Sequence, residues 1–260
     1  YTAQVEMARG IPVELDTYEE EDFQINIERL KSLITPRTKA LIINTPSNPT
    51  GSCLSAETLN EIARIAEEED LIVIADDIYT SYSFEKDFIP FMSVPGMRER
   101  TITINSFSKN FIMTGWRVGN IIAPNFIVRV LKDMGENIVY SAPALSQRAA
   151  LHALRNRNVI QPPIIAEYRK RMEYAAERIN RIPWMSVITP PKGSFYLFIN
   201  IKKSGLSSMD AADMILEKAH VLLLPGNAFG HCGEGYLRLA CTVGVDKLEE
   251  AFDRIEKIEL

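Results

Sequence analysis

The sequence predicts an α/β fold in two parts: a layered unit with a mostly parallel sheet over residues 1–165, then a smaller α+β unit over residues 166–260. Two observations carry this. Over the first 125 residues, short continuous apolar runs alternate with segments of helical periodicity, the pattern of strands covered on both faces by helices. Over the last 80 residues, strands and helices mix without that regular alternation.

Ile27, Leu30, Leu33 and Ile34 have helical spacing, and Ala40–Ile43 then reads as a short buried strand that stops at the Pro-rich turn Thr45–Gly51. A helix is predicted from about Ala56 to Glu69, with Ser55 as N-cap and Leu59, Ile62, Ala63 and Ala66 on one face. Leu71–Ala75, Thr101–Asn105 and Gly119–Ala123 are the next strands. The polar clusters Asn44–Gly51, Asp76–Tyr79 and Ser106–Lys109 each follow a strand, and in open α/β sheets ligands gather at the carboxyl ends of strands. Pro162–Asn180 is a long charged helix with Tyr168, Met172 and Ala175 on its apolar side. The remaining strands are Ser194–Ile199, Val221–Leu224 and Tyr236–Ala240, with helices at about Ser208–Ala219 and Asp246–Ile258.

Hydrophobic residues make up 46% and charged residues 24% of the chain, ample material for one large core or two smaller ones. A net charge of −5 gives no basic footprint for nucleic acid or anionic membrane, so the expected partners are small molecules and protein subunits. Cys53, Cys232 and Cys241 lack CxxC or Cys/His spacing, which favours reduced thiols in a cytoplasmic protein and predicts no metal site. No run approaches the roughly 18 apolar residues that would span a bilayer. The chain opens on Tyr1 rather than methionine, so we expect it to begin inside a longer gene product. His152, His220 and His231 match no motif and are read as structural or surface residues.

Chemistry is concentrated in the strand-end clusters. Ser106-Phe107-Ser108-Lys109, with Arg117-Val118-Gly119 shortly after, sets a lysine among two hydroxyls and a guanidinium. A lysine amine in its neutral form adds to an aldehyde, and hydroxyls with a guanidinium suit the oxygens of a phosphate. Asp76-Asp77 after a strand is otherwise a metal ligand pair or a helix cap.

Taken together these motifs make the chain similar to the class I and II aminotransferases, the aspartate aminotransferase-like branch of fold type I pyridoxal-phosphate enzymes. Asn44-Thr45-Pro46-Ser47-Asn48-Pro49-Thr50-Gly51 resembles the family's NPxNPTG motif, and Ala75-Asp76-Asp77-Ile78-Tyr79 resembles its aspartate–tyrosine motif. Leu224-Pro225-Gly226 to Phe229-Gly230, followed by Tyr236-Leu237-Arg238-Leu239, resembles its PGxxFG loop and the strand arginine beyond it. Gly193-Ser194-Phe195-Tyr196 matches a strand that lines the substrate entrance in the family. One departure is Ile112, where a small residue is commoner.

The resemblance implies that Lys109 holds pyridoxal 5'-phosphate as a Schiff base and that Asp76 faces the pyridine nitrogen, keeping it protonated. Asn48 and Tyr79 would bind the phenolic oxygen, and Ser106, Ser108 and Arg117 the phosphate. Arg238, together with Asn48, would bind substrate, the arginine gripping the α-carboxylate as a bidentate pair. Lys109, Asp76 and Tyr79 are the implied catalytic residues, acting in ping-pong exchange between an amino acid and a 2-oxo acid. The resemblance further implies a homodimer. It starts where family members are already about a third of the way along, so the Gly/Ser-rich phosphate turn and the aromatic that stacks on the ring lie outside this sequence. A polypeptide of these residues alone is therefore expected to bind cofactor weakly and turn over little. Tyr1 matches the tyrosine just after that aromatic. Met134–Pro143, the region where some dicarboxylate-specific relatives carry an extra arginine, holds none. Two other readings share these motifs: a lyase or synthase on the same fold, and an aminotransferase-like sensor domain of a transcription regulator.

Overall fold

A computed structural model describes residues 1–260. Its first sheet has the order β1 (Ala40–Asn44), β2 (Ile72–Asp76), β3 (Thr101–Ser106) and β4 (Gly119–Ile122). The first three strands are parallel and β4 is antiparallel to β3. The register sets Asn44 beside Asp76, Asp76 beside Ile104, and Ser106 beside Gly119. The carboxyl ends of β1, β2 and β3 therefore lie along one edge of the sheet.

Helix α1 (Thr2–Met7) and helix α2 (Ile27–Leu33) precede β1, and α3 (Ala56–Glu68) follows it. Helix α3 forms where the sequence predicts it: Ser55 Oγ accepts from the Thr58 N–H at 3.1 Å, satisfying a first-turn donor. Its face of Leu59, Ile62, Ile65 and Ala66 packs with Ile43, Val73 and Ala75 of the sheet.

The short helix α4 (Phe107–Asn110) grows directly from the end of β3. Helices α5 (Asn125–Ile138), α6 (Ala144–Arg155) and α7 (Arg157–Ile179) then lead to the second sheet, whose order is β5 (Tyr196–Asn200), β7 (Tyr236–Ala240) and β6 (Leu224–Pro225). This sheet is antiparallel throughout, with Phe198 and Leu224 both opposite Arg238. Helices α8 (Ser208–Ala219) and α9 (Val245–Ile255) complete the chain. The main core packs α7, α8 and α9 on β5 and β7, and it takes in Tyr79, Tyr82 and Phe84 from the loop after β2. That loop fastens the first sheet to the second.

Three elements differ from the sequence prediction. The helix predicted from Pro162 starts five residues earlier, at Arg157, with Pro162 and Pro163 on its exposed side inside the helix. The predicted strand Val221–Leu224 is instead the two-residue strand Leu224–Pro225, and Pro225, which has no N–H, does not extend the ladder further. Strand β4 was expected to be covered like its neighbours but is exposed along its whole length. It is the last strand of the sheet and the antiparallel one. No helix is long and apolar enough to cross a membrane.

Candidate active site

The site assembles from turns that the two sheets hold against each other. Asn44, the last residue of β1, donates from Nδ2 to the Asp76 carbonyl at 2.8 Å and accepts from the Asn48 N–H at 2.9 Å. One side chain thus ties the Thr45–Gly51 turn over the end of β2. Both Thr45–Pro46 and Asn48–Pro49 are cis. Gly51 closes the turn at φ 71°, and a Cβ there would fall 2.9 Å from the Tyr196 carbonyl oxygen and 3.0 Å from that of Gly193. A Cβ on Gly193 would in turn fall 2.6 Å from Cys53 Sγ and 2.7 Å from the Tyr82 carbonyl oxygen. Only glycine permits these approaches.

Asp76 ends β2. Its Oδ2 accepts from the Tyr1 hydroxyl at 2.5 Å, while Oδ1 is buried without a hydrogen-bond partner. Burial raises the affinity of this carboxyl for its proton, and the Tyr1 hydrogen bond opposes that shift. Neighbouring Asp77 is 3% exposed and is pushed up to about 7, first by burial and then by the charge of Asp76.

Tyr79 is buried, and its hydroxyl donates to the Tyr196 hydroxyl at 3.4 Å. Burial and that contact raise its phenol well above the ordinary value. Tyr82, three residues on, donates to the Lys109 carbonyl at 2.9 Å.

Lys109 sits on α4, where Ser106 is the cap: its Oγ accepts from the Ser108 N–H at 3.1 Å. The Lys109 Nζ lies 5.8 Å from the centroid of the Phe195 ring. Asn110 locks the helix in place, accepting from the Ser81 N–H at 3.2 Å and donating to Thr80 Oγ1 at 2.9 Å. Ser108 is buried. Arg117 is exposed, in left-handed conformation at φ 49°, and donates to the Thr114 carbonyl at 2.9 Å rather than to either serine. It stands two residues before Gly119, the strand partner of Ser106.

Arg238 reaches from β7 and donates from Nη1 to Asn48 Oδ1 at 2.9 Å. Its Nε is buried without a partner. Its guanidinium carbon lies 4.5 Å from the Tyr196 ring centroid and 4.7 Å from that of Phe229. Burial weakens the basicity of this guanidinium, partly offset by the two tyrosines.

Hydrogen bonds and packing thus link Asn48 to Arg238 and Tyr79 to Tyr196, and bring Lys109 against Phe195, whose ring also packs edge-on with Tyr79 at 5.4 Å. The donor set fits pyridoxal phosphate. A carboxylate oxygen buried without a donor suits a protonated ring nitrogen, and a buried guanidinium N–H without an acceptor suits a substrate carboxylate. Sequence reasoning assigns no part to Asn44, Tyr82, Asn110 or Phe229. Asn44 and Phe229 stand inside motifs that were read, but their tying and packing roles appear only once the turns are folded.

A large mostly parallel sheet with a lysine, an aspartate and an asparagine at its carboxyl edge, capped by a small antiparallel sheet bearing an arginine, is the architecture of fold type I aminotransferases. The family model for aminotransferase class I and II matches residues 1–255, and the chain belongs to that family. It is 41% identical to an aromatic-amino-acid aminotransferase of Thermococcus litoralis and 42% identical to an aspartate aminotransferase of Pyrococcus abyssi. Each match covers 99% of this chain and 67% of the relative. The crystal structure of an aromatic aminotransferase from Pyrococcus horikoshii superposes with a TM-score of 0.94 at 39% identity, over 99% of this chain and 69% of that one. The chain therefore spans about two thirds of the length of the relatives it matches.

Proposed function

We propose that this chain is the catalytic body of a pyridoxal-phosphate-dependent aminotransferase that moves an amino group between an amino acid and a 2-oxo acid. The observation that carries this is a partnerless Asp76 oxygen on the first sheet and a partnerless Arg238 Nε on the second, the two residues joined through Asn44 and Asn48. One calls for a cationic donor and the other for an anionic acceptor, which a protonated pyridine nitrogen and an amino-acid carboxylate together would supply.

In this reading Lys109 Nζ would hold the cofactor covalently, Asp76 would bind its ring nitrogen, Asn48 and Tyr79 its phenolic oxygen, and Ser106, Ser108 and Arg117 its phosphate. Bound pyridoxal phosphate supplies an electron sink that makes the substrate α-proton acidic. Asp76 sustains that sink by keeping a negative charge beside the nitrogen, where the buried setting strengthens the interaction. Arg238 exchanges the Asn48 amide oxygen for the substrate carboxylate, so the guanidinium is oriented before substrate arrives. Lys109 Nζ then carries the proton as base and acid. Names of relatives that include aromatic-amino-acid and aspartate aminotransferases support transamination over the lyase and regulator readings, and they suggest aromatic and acidic amino acids as first donors to assay. We further propose a homodimer in the cytoplasm, on the exposed apolar side of α5 and on three free cysteines.

Lys109→Ala is expected to abolish the visible absorbance of protein-bound cofactor and to lower turnover by about 10³-fold or more. An unchanged spectrum in that variant would refute the assignment. Donor screens against 2-oxoglutarate and pyruvate separate transamination, in which keto-acid formation needs the acceptor, from elimination, which releases ammonia without one.

A further inference from the structure

Tyr196 touches both halves of the site. It opens β5, is 7% exposed, and is fixed through its backbone: its N–H donates to Ser194 Oγ at 3.2 Å, and the register places it opposite Ala240. Its carbonyl is one of the two that Gly51 must clear. The side chain has little freedom left. Its hydroxyl meets the Tyr79 hydroxyl at 3.4 Å, with the two rings edge-to-face at 5.8 Å and 85°. The face of the same ring lies 4.5 Å from the Arg238 guanidinium carbon. Phe229 also flanks that guanidinium, but it has no hydroxyl to share with Tyr79.

We infer that Tyr196 is a positioning residue that couples the two ligand-binding halves, steering the proton of Tyr79 through its hydroxyl and bracing Arg238 through its ring. The inference rests on the aminotransferase reading above. A phenol has one proton to donate. Here Tyr79 spends it on Tyr196, across a contact long for two hydroxyls and so able to reverse. When Tyr79 donates to a cofactor oxygen instead, the Tyr196 hydroxyl is placed to turn and donate to Tyr79, and a hydroxyl that accepts such a bond becomes a stronger donor itself. The ring acts separately. A guanidinium over an aromatic face is attracted by the ring's quadrupole, more so when water is excluded, and this holds its plane ready for a bidentate partner.

The two contributions separate by substitution. Tyr196→Phe keeps the ring and removes the hydroxyl. Less donation to the phenolic oxygen leaves more negative charge beside the lysine-bound nitrogen, which then holds its proton more tightly. The pH midpoint of the visible band of lysine-bound cofactor is expected to rise by about half a unit. The affinity for 3-phenylpropanoate, a carboxylate without an amine, should stay within about twofold in calorimetric titration of cofactor-free protein. Tyr196→Leu removes both groups and should raise the midpoint equally and weaken 3-phenylpropanoate about tenfold. A Phe variant that titrates like the parent, or a folded Leu variant that binds 3-phenylpropanoate like the parent, overturns the inference. At saturating pyridoxal 5'-phosphate, a parent protein without any visible band dependent on Lys109 overturns the aminotransferase reading and this inference with it.

Discussion

Asp77 shows how strongly burial acts on a single group beside the site. The folded protein holds its proton up to about pH 7, whereas the unfolded chain releases it near 4. Between those values the native state binds more protons than the unfolded state, so this residue makes stability fall as pH rises from about 4 through 7. Asp77→Asn removes the titration. At pH 8 the variant should be more stable than the parent by about 2–4 kcal/mol in urea unfolding, with little gain at pH 4. An equal gain at both pH values would show that packing, not ionisation, is responsible. At this scale the sequence draws attention to residues by their side-chain chemistry, as for Lys109, Asp76 and Arg238, whose roles are proposed above. It was silent where the role is to hold a neighbour. Asn44 is a strand-terminal polar residue until its amide is seen bridging two turns, and Tyr82 reads as core until its hydroxyl is found on the Lys109 carbonyl.

Among the elements, α4 and the turn after it show a local conflict between side chain and backbone. Ile112 sits at φ 53° and is half exposed, so a β-branched residue occupies a left-handed position that costs it more than almost any other type. Ile112→Gly is expected to stabilise the protein by about 0.5–1 kcal/mol, after the added entropy of the unfolded glycine, which scanning calorimetry would register as a rise of about 2 °C. A lower melting temperature would mean that Ile112 makes contacts worth more than its strain. The legible elements were those with a cap or a clear period, such as α3 with Ser55 and α8. Helices α5 and α6 begin after Pro124 and Pro143 with no side-chain cap, so their starts carry no N-cap signal. Strand β4 kept its position but not its expected cover, because an apolar run does not say what lies against it.

For the molecule as a whole, the apolar surface is uneven. Phe126, Val130, Met134 and Ile138, at four-residue spacing on α5, followed by Tyr140 and Leu145, are all more than half exposed. Met134→Glu combined with Ile138→Glu should reduce self-association in light scattering and binding of a hydrophobic dye while leaving the melting temperature within about 2 °C. Persistence of the association would move the proposed dimer contact elsewhere. A different kind of constraint operates between the sheets. Gly51 and Gly193 bring backbone to backbone, and the width of the gap that Asn48 and Arg238 bridge follows from the absence of two methyl groups. Side-chain exchange has no purchase on that dimension, since any larger residue would wedge the sheets apart and carry Arg238 off its partner. A change at either glycine would therefore alter the spacing across which Arg238 reaches Asn48, without touching either of those side chains.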